Sequence, residues 1–116
     1  MRAWLALTTA VSLAAAAFAA EIKNGATMDV KAHAIWFQDN AQLARWQRLK
    51  QGGDAKALAR YQDRLLSSRD AWQFDNALTV KILRYEPSQH RVKVEMTTDG
   101  RMKGTTWSID PDALVQ

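Results

Sequence analysis

The chain is 116 residues long and 47% hydrophobic, with a formal net charge of +4 and no cysteine. That length suits one compact domain. The missing cysteine excludes a disulfide scaffold, thiol catalysis and thiolate zinc sites, and charges of both signs are interspersed, whereas a nucleic-acid binder usually shows a concentrated basic face.

The first element is a leader. Arg2 precedes an apolar run from Trp4 to Phe18, broken only by Thr8, Thr9 and Ser12, and Ala17-Phe18-Ala19 closes it. This is the pattern of a signal peptide over residues 1–19, which predicts a periplasmic or secreted protein. Nothing after it is long and apolar enough to span a bilayer. Residues 20–27, with an Asn24-Gly25 turn signal, form a lead-in, and residues 28–116 form a single domain.

From Met28 the pattern has period two. Met28, Val30, Ala32, Ala34 and Trp36 share one side, with Asp29, Lys31 and His33 on the other, predicting a half-buried strand over 28–37. The period changes at Asp39, an acidic N-cap, and Gly52-Gly53 stops the helix it starts. Leu43, Trp46 and Leu49 stripe that helix. Asp54 opens a second one, in which Leu58, Tyr61 and Leu65 share a face. Together they predict an αα-hairpin over residues 40–70. Its aromatic stripe has the spacing of a face that docks on the domain; a ligand groove between the helices is the other reading.

Residues 77–114 return to period two. Pairing Tyr85 with Arg91 across a Glu86–His90 loop sets Ile82 opposite Val94, Val80 opposite Met96, and Lys81 opposite Glu95. Opposed pairs of these kinds contribute about 0.2–1 kcal/mol each. Asp99-Gly100 is the signature of a two-residue type I′ turn, which sets Thr98 opposite Arg101 and Val92 opposite Trp107. Gly104 leaves room for a bulge, in which case Met102 turns inward. Asp110 and Pro111 read as the cap and first residue of a short helical turn, with Leu114 plugging the core.

"MDVKAHAIWF", "TTDG" and "GTTWSIDPDAL", in this order around a long insertion, resemble a small bacterial SH3-like barrel over residues 28–37 and 77–114. The fold expectation is therefore α+β: a small SH3-like antiparallel β-barrel or meander carrying the helical hairpin. The resemblance implies binding of peptides or cell-wall material through aromatics beside the first long loop, with Trp36, Tyr85 and Trp107 as the ligand-binding candidates.

Catalytic patterns are missing. His33 and His90 lack metal-ligand spacing, no nucleophile elbow surrounds Ser67, Ser68, Ser88 or Ser108, and the carboxylates are scattered singly along the strands. Asp110 and Asp112 supply too few oxygens for calcium and read as capping groups. The expectation is a non-enzymatic binding module of the bacterial envelope, without metal or cofactor, contacting a protein, peptide or polymer. The alternative is a small inhibitor or immunity-type protein whose Glu86–His90 loop blocks another enzyme.

Overall fold

A computed structural model describes residues 21–116; the leader read at 1–19 lies outside them. Asp39 caps α1 (Asn40–Gly52), its carboxylate accepting from the Ala41 amide at 2.6 Å. Asp54 caps α2 (Ala55–Ser68) by accepting from the Ala57 amide at 3.0 Å. Each bond satisfies an amide that the first helical turn leaves unpaired. Gly53 ends α1 at φ +76°, a left-handed conformation that glycine adopts without a Cβ penalty. The two helices meet through Trp46, whose indole Nε1–H donates to Gln62 Oε1 at 3.0 Å.

Six strands form one antiparallel sheet. In chain order they are β1 (Thr27–Val30), β2 (Ile35–Phe37), β3 (Ala71–Gln73), β4 (Leu78–Glu86), β5 (Arg91–Met96) and β6 (Thr106–Ile109). Their spatial order is β1-β4-β5-β6-β2-β3. The sheet is open. The expected closed barrel is not what forms, because β3 and β1 end the order without pairing to each other. The free side of β1 instead meets the C-terminal tail, where Val30 bridges Leu114 and the Lys31 amide donates to the Ala113 carbonyl at 2.8 Å.

The alternation over 28–37 is not one strand. His33 sits at φ +67° in a turn between β1 and β2, which breaks the ladder while leaving Val30 and Trp36 in the same core. A short strand that the sequence pattern does not predict, β3, follows the second helix. Arg69 stops α2 at φ +63°, and after Asp70 the residues Ala71–Gln73 pair with β2, setting Trp72 opposite Trp36.

The β4–β5 hairpin has the predicted register at Val80–Met96, Lys81–Glu95 and Ile82–Val94. A bulge then intervenes between Ile82 and Arg84, so Tyr85 pairs with Val92 and Glu86 meets Arg91. That pair closes as a fork, with Arg91 Nε donating to Glu86 Oε1 at 3.0 Å and the second guanidinium nitrogen donating to Oε2 at 3.3 Å. The hydrogen bond from Arg91 holds the Glu86 carboxyl below the usual carboxylate range. A depressed carboxyl favours folding above its unfolded value, and its contribution fades as pH falls through the lowered one.

The β5–β6 connection corrects the expected type I′ turn. Thr97 and Thr98 donate their amides to the Thr79 carbonyl at 3.1 and 3.3 Å, pulling the chain toward β4 before any turn at Asp99. Met96 then faces two residues: the Gly104 amide donates to its carbonyl at 2.8 Å, and its own amide donates to the Thr105 carbonyl at 2.9 Å. With Gly104 at φ +89°, this is a G1 bulge. Met102 turns inward against the core. The register becomes Val92–Ile109 and Val94–Trp107, two residues from the expected one. An even slip keeps the same faces inward.

A Cβ placed on Gly104 meets nothing within 4 Å, so substitution there costs only backbone strain. Gly104→Ala is expected to lower stability by about 1–2 kcal/mol, the cost of a left-handed non-glycine residue. Unchanged urea unfolding would show that the bulge does not require glycine.

Two cores result. Val30, Trp36, Val80, Ile82, Val92, Val94, Met96, Trp107, Ile109 and Leu114 fill one. Ile35, Phe37 and Ala71 receive Leu43, Tyr61 and Leu65 of the helices in the other. Among the described residues no helix is long and apolar enough to cross a membrane.

Candidate functional site

The aromatic residues singled out in the sequence are divided by packing. Trp36 and Trp107 lie together in the sheet core, 1% and 3% exposed, edge-to-face with centroids 6.2 Å apart. Phe74 packs edge-on to Trp36 at 5.3 Å, and Trp107 Nε1–H donates to Thr105 Oγ1 at 2.8 Å. As packed, neither indole presents a face to solvent. Tyr85 is half-buried elsewhere, beside Glu21, Ile22 and Gln116, and its amide donates to Asn24 Oδ1 at 3.0 Å.

Trp107 lines the edge of one shallow depression with Gln38, Trp72 and Met102, and a separate cleft lies away from these three aromatics. The β1–β2 turn (Lys31–Ala34), the second half of α1 and the 3-10 turn Pro111–Ala113 enclose a cleft of about 300 Å³. Its apolar wall is Ala32, Ala34, Ile35 and Trp46; its polar groups are Lys31, His33, Lys50, Gln62, Asp110 and Asp112. Trp46 is held from several directions. Its indole is hydrogen-bonded to Gln62, its ring packs on Phe37 at 5.6 Å, and Lys50 Nζ lies 4.9 Å from the ring centroid. A stacked ammonium of this kind contributes about 0.5–1 kcal/mol at an exposed site.

His33 owes its place to the turn. Its amide donates to the Phe74 carbonyl at 2.8 Å and its carbonyl accepts from Gln73 Nε2 at 2.9 Å, leaving the imidazole mostly exposed. Lys31 Nζ donates to the Asp112 carbonyl at 2.9 Å, tying the turn to the 3-10 segment.

A second depression adjoins the cleft, sharing Lys50, Asp110 and Asp112 and adding Gln47, Gln51 and His90. Asp110 is its fixed point, 8% exposed. One carboxylate oxygen accepts from the Asp112 amide at 2.8 Å and the other from Gln47 Nε2 at 2.9 Å. Gln47 also donates to the His90 carbonyl at 2.7 Å, which places His90 Nε2 3.6 Å from Asp110 Oδ1 and 4.0 Å from Asp112 Oδ2.

His90, Asp110 and Asp112 offer donor atoms within 4.8 Å of one another, the one such group among the described residues. Sequence spacing missed it, because twenty positions separate His90 from Asp110 and only the fold brings them together. Among the described residues no hydroxyl is hydrogen-bonded to either imidazole. The two adjoining depressions gather two ammonium groups, two imidazoles and two carboxylates near an indole wall.

No protein family, curated protein or solved structure matches the chain.

Proposed function

We propose that the chain is an exported, non-enzymatic binding module of the bacterial envelope, SH3-like in fold, that takes an extended peptide or cell-wall segment in the cleft beside Trp46. Supporting the fold assignment is the order of elements: β1 and β2, a helical insertion ending in the short β3, and the three-strand meander β4–β5–β6. A 3-10 turn then leads to a tail that returns to the first strand. The leader read over residues 1–19 supports export.

The observation that carries the binding reading is the position of the cleft. It lies between the β1–β2 turn and the 3-10 turn, with a rigidly held indole as its wall and Lys31 and Lys50 at its rim. A small apolar cleft with a few convergent polar groups is the usual form of a ligand site. The alternative, an inhibitor acting through the Glu86–His90 loop, would use a segment wound into a 3-10 turn at Pro87–Gln89 and tied to α1 through Gln47.

Titration of the labelled mature chain with cell-wall stem peptides and with unrelated extended peptides tests this by NMR. The Trp46 indole, His33 and Lys50 signals should move. Trp46→Phe, which keeps a ring against Phe37 but removes the indole, should weaken binding about tenfold by removing contact area and its Nε1 bond to Gln62. Perturbations confined to other surfaces would overturn the assignment. Co-purification of one enzyme in equal amount, insensitive to that change, would favour inhibition.

A further inference from the structure

The helices carry the charge of this protein. From Arg45 to Arg64 there are six basic residues (Arg45, Arg48, Lys50, Lys56, Arg60, Arg64) against two acidic ones, Asp54 and Asp63, an excess equal to the +4 of the whole chain. Every ion pair among the described residues lies outside α1 and α2. Asp54 is committed to capping. The basic side chains of the two helices therefore make no close ion pair among the described residues.

Their arrangement is specific. Arg45 of α1 and Arg64 of α2 place their guanidinium carbons 5.0 and 5.2 Å from the centroid of the single Tyr61 ring. Tyr61 is 7% exposed, so it is a fixed platform. Arg60 joins them around a groove of about 250 Å³, floored by Leu49 and Ala57. Cation–π contact orients each guanidinium but neutralises neither. Like charges gathered within a Debye length (~8 Å at physiological salt) repel unless an anion sits between them. Planar guanidinium forks match tetrahedral oxyanions in two-point hydrogen bonds, and three of them suit a doubly charged group.

We infer that the groove between α1 and α2 around Tyr61 is an anion site for the phosphate group of an ester, with the organic part of the ester lying on Leu49 and Ala57. It is separate from the cleft beside Trp46. A soluble phosphate monoester and an anionic phospholipid headgroup share this chemistry, and the test separates them.

The chain, labelled at the arginine Nε positions, is titrated with glycerol phosphate. In parallel it is sedimented with vesicles of phosphatidylglycerol or of phosphatidylcholine. The Nε signals of Arg45, Arg60 and Arg64 should shift together. Arg60→Gln and Arg64→Gln should each weaken binding about tenfold, as loss of a charged hydrogen bond does. Arg48→Gln removes the same charge outside the groove and should change binding less than about twofold, as expected of an exposed charge. Saturable binding of glycerol phosphate without preference for phosphatidylglycerol vesicles assigns the soluble ester. Binding only to those vesicles, lost with Arg60→Gln, assigns the headgroup. Equal losses from Arg48→Gln and Arg60→Gln would reduce the effect to general electrostatics and overturn the site. So would absence of any shift in the millimolar range together with no sedimentation.

Discussion

Trp36→Ala is expected to lower the unfolding free energy by about 3–5 kcal/mol, the range for removing a buried aromatic side chain. A domain of this size has a total of about 5–15 kcal/mol, so the variant would lie near the edge of folding. The indole is enclosed by Phe74, Trp107 and the opposing Trp72, and 1% of the residue is exposed. Its loss leaves a cavity that three large rings on a short sheet cannot refill by small adjustments. A ligand-contacting tryptophan behaves otherwise: its removal costs affinity and leaves unfolding nearly unchanged. Chemical denaturation of the variant separates the two roles, and a loss under about 1 kcal/mol would remove Trp36 from the core.

The residues that could be read correctly were those whose local chemistry has one structural outcome. Asp39, Asp54 and Asp110 cap because a short carboxylate beside unpaired amides has little else to do. Gly53 ends α1 for the same kind of local reason. The β4–β5 register from Val80 to Ile82 was legible because a one-residue slip would bury Lys81, whereas the bulge that moves Tyr85 from Arg91 to Val92 left no mark in the alternation. The errors arose where the pattern does not discriminate. A two-residue slip between β5 and β6 turns no side chain to the other face, so alternation alone could not separate Val92–Trp107 from Val92–Ile109. Nor could it detect the break at His33, since Val30 and Trp36 reach the same core whether the chain between them is extended or turned.

The candidate site was harder to read for a related reason. Trp36 and Trp107 stand out because large aromatics at strand ends resemble ligand contacts, yet a domain without cysteine draws on the same rings for its core. Trp46 was visible only as part of a helical stripe. Nothing local in the sequence couples it to Lys31, His33 or Asp112, which reach the cleft from other elements. The Asp110-Pro111-Asp112 corner, already identified as a cap, was the one signal that pointed to this end of the molecule.

Phe37→Ala should have the second large effect, also about 3–5 kcal/mol, but with a different distribution. Phe37 is fully buried, and its side chain enters the helix core while that of the adjacent Trp36 enters the sheet core. Few residues anchor the helices: Leu43 is the buried residue of α1, and Tyr61 and Leu65 are those of α2. The strand that receives them is itself attached lightly, since β2 meets β6 at the single ladder pair Phe37–Ser108. The Asn40–Ser108 side-chain bond adds one polar tie there. Local unfolding follows sparse contacts of this kind. Amide hydrogen exchange on Phe37→Ala should therefore show α1 and α2 losing protection first, with β4 and β5 protected close to the remaining global stability. Uniform loss across helices and sheet would mean that the two cores unfold as one unit, and the helical pair would then be an integral wall of the domain.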